Sequence, residues 1–177
     1  ICNPGNPTGY LYTKEELQGL ATVLAKHPNV IIISDEIYEH IVYGDKNVSI
    51  ASFPEVYNQT VTVNGLAKAF AMTGWRIGFI GAPAWLAKAC ETLQGQVTSG
   101  TNAIAQRAAI TALEADPSSV KYMVDAFAER RELMIGWAKE IPGFKVNEPK
   151  GAFYLFPDVS ETFGKTYNGV TINNADD

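Results

Sequence analysis

Thr60-Val61-Thr62-Val63-Asn64-Gly65-Leu66-Ala67-Lys68-Ala69-Phe70-Ala71-Met72-Thr73-Gly74-Trp75-Arg76-Ile77-Gly78-Phe79-Ile80-Gly81 is the stretch whose reading decides the fold. The β-branched run Thr60 to Val63 is a strand, the middle is a loop holding one lysine, and Arg76 opens a second short strand. A helix here is disfavoured, because Gly65, Gly74 and Gly78 would each cost about 1 kcal/mol against alanine in a helix interior. Lys68 therefore falls just past a strand end, where α/β sheets gather their chemistry.

Upstream, Val30 to Ile33 is a continuous β-branched run, the pattern of a strand covered on both faces as in a parallel sheet, and it ends in Ser34-Asp35-Glu36-Ile37-Tyr38-Glu39. Before it, Thr13 and Glu16 form a capping box opening a helix to about Lys26, with Leu17, Leu20, Ala21 and Leu24 on one face. Asn3-Pro4-Gly5-Asn6-Pro7-Thr8-Gly9 is a tight turn system. Helix, buried strand, charged strand end and second strand point to α/β layering. The link from Val63 to Ile77 holds glycines in place of a crossover helix, so Ile77 to Ile80 is expected to run antiparallel to its neighbours.

Downstream, Trp85 to Val97 is helical in pattern, Thr98-Ser99-Gly100-Thr101 breaks it, and a second helix is expected from Asn102 to about Glu114. Asp116-Pro117 then supplies an N-cap with proline at the first helical position, and the helix it opens could reach Glu140. Such a length suits a connector between domains. Ile141-Pro142-Gly143 closes it, and Phe144-Lys145-Val146 and Gly151-Ala152-Phe153-Tyr154-Leu155-Phe156-Pro157 read as strands of a separate α+β unit.

The 177 residues are 46% hydrophobic, enough for one domain or one domain with part of another. With 14 basic and 19 acidic residues the formal charge is −5, which offers no broad cationic face to nucleic acid or anionic lipid. Cys2 and Cys90 are too few and too far apart for a metal cluster or disulfide scaffold and read as reduced thiols of a cytosolic, hence cytoplasmic, protein. No apolar run approaches a membrane span, and no signal peptide is visible. Ile1-Cys2-Asn3 reads as a strand end without a partner before it, and the chain is expected to be a segment of something longer.

Five residues could carry chemistry. Lys68 is flanked by Leu66, Ala67, Ala69 and Phe70, and an amine in an apolar setting is more readily neutral and so nucleophilic toward an aldehyde; an ordinary lysine is a solvated surface residue. Asp35 follows the apolar strand and either caps the next turn or serves as the acidic partner that a pyridine nitrogen requires. Tyr38 could donate a hydrogen bond to a ring oxygen or merely pack. Arg76 suits a phosphate, through its planar guanidinium, or stacks on its neighbour Trp75. Asn6, held between Gly5 and Pro7, could aim its amide at a ligand or satisfy its own turn.

Asn6-Pro7-Thr8-Gly9, Ser34-Asp35-Glu36-Ile37-Tyr38 and Asn64-Gly65-Leu66-Ala67-Lys68 through Thr73-Gly74-Trp75-Arg76-Ile77-Gly78 resemble, in order and spacing, the class I/II aminotransferases of fold type I that use pyridoxal 5′-phosphate. They have the look of the bacterial aspartate aminotransferase branch. The resemblance implies a three-layer α/β fold with a mostly parallel sheet and one antiparallel strand, plus the start of a smaller α+β domain. It divides the chain into part of a large cofactor-binding domain (1–115), a long interdomain helix (116–141) and the start of a small C-terminal domain (142–177). By the same resemblance Lys68 is the lysine that joins the cofactor aldehyde and shuttles the substrate proton. Asp35 is the pyridine-nitrogen partner, Tyr38 and Asn6 are the pair on the phenolic oxygen, and Arg76 is the phosphate arginine. No metal is implied.

The implied reaction moves an amino group between an amino acid, aspartate or glutamate in that branch, and a 2-oxo acid, in a homodimer. A carbon–sulfur β-lyase of the same fold type shares these residues, and a catalytically incomplete fragment of an aminotransferase is a further alternative. A nicotinamide-binding domain is disfavoured, since no Gly-x-Gly-x-x-Gly turn follows any strand. Two positions depart from many relatives, which carry serine where this chain has Gly65 and Ala67. Arg107, Arg130 and Arg131 sit in helical stretches, where solvated salt-bridging is the ordinary role.

Overall fold

Helix α1 (Lys14–Leu24) starts where the capping box demands: the Glu16 N–H donates to the Thr13 hydroxyl, and the Thr13 N–H donates to the Glu16 carboxylate. The structure, a computed structural model, describes residues 1–176; the last residue of the expected 142–177 unit, Asp177, lies outside the described residues. Leu17 and Ala21 of α1 are fully buried against Ile32, Ile50, Phe53 and Val56. Each large side chain sealed there contributes about 1.5–3 kcal/mol.

Strands β1 (Ile32–Asp35), β2 (Thr60–Gly65) and β3 (Gly78–Gly81) form one sheet in that order. β1 and β2 run parallel with Asp35 beside Val63, joined by a path through a 3-10 turn at Ile50–Ser52 and the short helix α2 (Pro54–Tyr57). β3 returns antiparallel to β2, with Gly65 opposite Gly78, as the glycine-bearing link required. Along the other edge of β1, the Asn3 N–H donates to the Asp35 carbonyl and the Asp35 N–H to the Ile1 carbonyl, at 2.9 and 2.8 Å. The turn holding Asn6 is thereby pinned beside the end of β1.

The expected mostly parallel sheet is not what forms. Of the three pairings between strands among the described residues, β1–β2 is parallel, whereas β2–β3 and the hairpin of β4 (Thr166–Tyr167) with β5 (Val170–Thr171) are antiparallel. The reason is local in both cases: 66–77 contains no crossover helix, and Asn168-Gly169, both at positive φ, make a two-residue hairpin turn. Nor is β1 covered on both faces. Ile32 and Ser34 point into the core while Ile33 is 60% exposed, because α1 and the 50–56 segment cover only one side.

Helix α3 (Ala84–Val97) buries none of its residues and α4 (Ala103–Glu114) buries only Ala105 and Ala109. Asp116 caps a 3-10 turn, not an α-helix, and α5 (Lys121–Lys139) begins after it. The strands expected over 144–146 and 151–157 do not form either. Lys145 pairs with Asp158 and Gly151 with Val42 as single bridges, in a segment where Pro149 and Pro157 withhold ladder donors. Gly151 seats directly on Pro4, since a Cβ there would lie 2.6 Å from the proline Cβ. Among the described residues no helix is long and apolar enough to cross a membrane.

Candidate active site

Lys68 lies three residues past the end of β2, half-buried, with its ammonium nitrogen 5.7 Å from the centre of the Tyr38 ring and 5.5 Å from that of Phe153. These are cation–π distances. The strand end before it is held by a side-chain chain: Asn64 donates to the Glu39 carboxylate at 2.7 Å and accepts the Gly65 N–H at 2.7 Å. Glu39 also meets His40 at 3.2 Å, which holds the Glu39 carboxyl below its usual range and raises the imidazole above its own.

Gly65 is explained by close approach. A Cβ there would lie 3.0 Å from the Ile77 carbonyl oxygen, 3.1 Å from the Gly78 Cα and 3.2 Å from the Ile37 Cδ1. A side chain there would be tight in the β2–β3 register and would need its neighbours to give by a few tenths of an ångström.

Asp35 ends β1 with one carboxylate oxygen accepting the Ile37 N–H at 3.2 Å, and among the described residues no cation pairs with it. Glu36, next to it, is buried. Desolvation pushes its carboxyl up, opposed by hydrogen bonds donated by the hydroxyls of Ser49 at 2.6 Å and Ser34 at 2.9 Å. Tyr38, only 3% exposed, follows in the same turn. Its hydroxyl is hydrogen-bonded to that of Tyr154, and burial first, then Tyr154, pushes the phenol up. It therefore stays protonated across ordinary pH.

Arg76 is carried by the 3-10 turn Thr73–Trp75 in a left-handed conformation, φ 51°, a backbone state that costs an L-residue roughly 1–2 kcal/mol. One guanidinium nitrogen donates to the Thr73 carbonyl at 2.9 Å, and no carboxylate neutralises it among the described residues. It borders a cavity of about 700 Å³ lined also by Trp75, Thr98, Thr101 and Asn102. Asn6 is exposed in its turn, and its amide takes no protein partner among the described residues, whereas the amide of buried Asn3 is consumed by Asn47, Val48 and Tyr12.

The structure thus brings Lys68 and Tyr38 into contact. Register places Asp35 and Arg76 at the same end of the sheet, while among the described residues no hydrogen bond joins Asn6 to the other four. Sequence reasoning missed Phe153 and Tyr154, which it placed in a separate unit. Phe153 packs edge-on against Tyr38 at 5.3 Å and stacks on Phe127 at 5.1 Å. Tyr43 secures the segment by donating to the Ala152 carbonyl at 2.5 Å, and its half-buried phenol is pushed up to about 12 by desolvation. Arg131, expected to be solvated and salt-bridged, does pair with Glu132 but is largely covered: it lies over the Tyr43 ring at 5.3 Å and donates to the Pro149 carbonyl at 2.5 Å. Only the aromatic pair after Gly151 hinted at this, and nothing local says where it docks.

The donor set fits pyridoxal phosphate: a lysine amine among aromatic faces, a carboxylate and a guanidinium each without an ionic partner, and a protonated phenol. Comparison with known proteins agrees. The chain is 46% identical over 181 residues to a bifunctional aspartate aminotransferase and glutamate/aspartate-prephenate aminotransferase of Petunia hybrida, covering 99% of this chain and 38% of that protein. It superimposes on the aspartate aminotransferase of Rhizobium meliloti with a TM-score of 0.94 at 39% identity, covering 98% of this chain and 44% of that one. On the Thermus thermophilus aspartate aminotransferase with maleate the TM-score is 0.82 at 40% identity, covering 90% and 42%. The chain therefore spans about two-fifths of the length of these relatives. The family model for aminotransferase class I and II matches residues 1–173, and the chain belongs to that family.

Proposed function

We propose that this protein is a pyridoxal-phosphate-dependent aminotransferase exchanging an amino group between an amino acid, aspartate or glutamate, and a 2-oxo acid. The observation that supports it most is the Lys68 amine poised between the Tyr38 and Phe153 rings at the end of β2. When bound, the cofactor supplies an electron sink for the charge left on the substrate α-carbon. Lys68 would hold the cofactor through its Nζ, and the same amine, set free, would be the base at the substrate α-carbon proton. The Asp35 carboxylate would hold the proton on the pyridine nitrogen, the Tyr38 hydroxyl and the Asn6 amide would donate to the phenolic oxygen, and Arg76 would bind the phosphate.

Residues 1–115 form part of the cofactor-binding domain, 116–141 the interdomain connector and 142–177 the beginning of the small domain; the 19-residue α5 supports this division. The working protein is a cytoplasmic homodimer. The two free thiols, Cys2 and Cys90, support the location.

The test is a visible absorption spectrum with added pyridoxal phosphate, followed by borohydride reduction and peptide mapping. A band whose label maps to Lys68 is expected. Label on another lysine, or amino transfer without any band, would overturn the reading. Aspartate turned over with 2-oxoglutarate supports transfer, whereas ammonia and pyruvate released from a cysteine conjugate without an acceptor would make it a β-lyase.

A further inference from the structure

Two tyrosine hydroxyls meet beside Lys68, and the way they divide their protons bears on the site. Tyr38 and Tyr154 are hydrogen-bonded through their oxygens, with rings edge-to-face at 5.5 Å. Tyr154 is not there by chance of a loose loop. Its segment is paired to the chain just after Tyr38: the Tyr43 N–H donates to the Lys150 carbonyl at 2.9 Å, and the Ala152 N–H to the Ile41 carbonyl at 2.9 Å. Ala152 between them is wholly buried and held at φ 57°. One short stretch, 38–43, thus positions both hydroxyls.

We infer that Tyr154 is a positioning residue that makes Tyr38 a committed hydrogen-bond donor; the inference rests on the cofactor reading above. Each phenol has one proton and can both donate and accept. If the Tyr154 proton lies between the two oxygens, the Tyr38 proton is free to point outward to the phenolic oxygen of the cofactor. Without Tyr154, the Tyr38 hydroxyl is free to rotate and spend its proton elsewhere. The groups facing Tyr38 are Tyr154, the Lys68 ammonium, Cys2 and Asp35, and Tyr154 is the only one of them hydrogen-bonded to its hydroxyl. The raised Tyr38 phenol agrees, since a donor must keep its proton.

The experiment compares wild type, Tyr154→Phe, Tyr38→Phe and the double variant, each loaded with pyridoxal phosphate. The pH midpoint of the visible band is read for each. A hydrogen bond donated to an anionic oxygen favours its deprotonated form, so losing the donor raises the midpoint. Tyr154→Phe is expected to raise it by about half to one pH unit, no more than Tyr38→Phe does, and to add nothing in the Tyr38→Phe background. An unchanged midpoint in Tyr154→Phe, or the same added shift in the double variant, overturns the inference. A band that is normal in wild type while Tyr154→Phe has no effect sinks this inference and leaves the cofactor reading standing; no band on wild type sinks both. In the cofactor-free protein the two substitutions should be non-additive in melting temperature, and additivity would show that the hydroxyls do not interact.

Discussion

The cluster beneath α1 and the cluster around Tyr38 are built on opposite principles. The first joins Leu17, Ala21, Ile32, Ile50, Phe53 and Val56, all within a short reach of chain and without a polar atom among their side chains. The second joins Tyr38, Ile41 and Ala152 with Tyr43, Phe127 and Tyr154, and its hydrogen bonds span 109 and 116 residues. Apolar area alone specifies the first. The second must satisfy buried hydroxyls and close a long loop, a cost that grows only slowly with loop length and is offset by the backbone pairing of 41–43 with 150–152. The stability core is local and forgiving; the site is distant in sequence and exacting.

Substitutions can break that division. The largest effect is expected from Lys68→Ala, which should cost at least about 10³-fold in amino transfer and abolish covalent cofactor labelling. Its melting temperature without cofactor should hardly move; a large drop would mean that Lys68 is part of the fold's support and that the two regions are not separable. Leu17→Ala should do the reverse, losing about 2–5 kcal/mol in denaturant unfolding with unchanged cofactor affinity in the folded fraction. A lost affinity there would show the core reaching into the site.

Smaller changes sharpen the contrast. Tyr43→Phe removes the hydrogen bond to the Ala152 carbonyl, worth about 1 kcal/mol, and should weaken cofactor binding measurably because Phe153 and Tyr154 hang from that segment. Stability lost with affinity intact would detach the segment from the site. Glu36→Gln tests burial alone, by unfolding at several pH values. Because the folded protein holds the Glu36 proton more tightly than the unfolded chain, the carboxyl begins to destabilise as pH rises through its ordinary value of 4.5, and does so fully above its raised folded value. The variant should be slightly more stable than wild type at neutral pH, and the difference should vanish near about pH 3. A gain that grows toward acid would refute the assignment.

The placement of Lys68, Arg76, Asp35 and Tyr38 was legible because each follows from a pattern within a few residues, whereas the contacts that join them across the fold were not. Lys68 after a strand, Arg76 eight residues on, and Asp35 with Tyr38 in one turn are local patterns, and the antiparallel β3 followed from the missing crossover helix. The balance of the sheet and the covering of β1 were not legible. A run such as Val30 to Ile33 reports affinity for a dry face, and which face is covered depends on what packs there. Gly151 to Tyr154 misled for a related reason. Its apolar, aromatic run has strand propensity, yet it pairs through a single bridge to Val42 and gives its aromatics to Tyr38.

By itself the sequence determined the helix starts at Thr13 and Asn102, the strand ends that present Asp35 and Lys68, and the family to which the chain belongs. Each rests on backbone chemistry within a few residues, where capping, β-branching and glycine act whatever lies elsewhere. Only the tertiary structure decided that Tyr154 meets Tyr38, that Phe153 caps Lys68, that Arg131 braces Tyr43 and that a side chain at Gly65 would be crowded by β3. Those depend on distances between residues far apart in the chain, set by the sum of many weak packing and hydrogen-bond choices that no local pattern encodes.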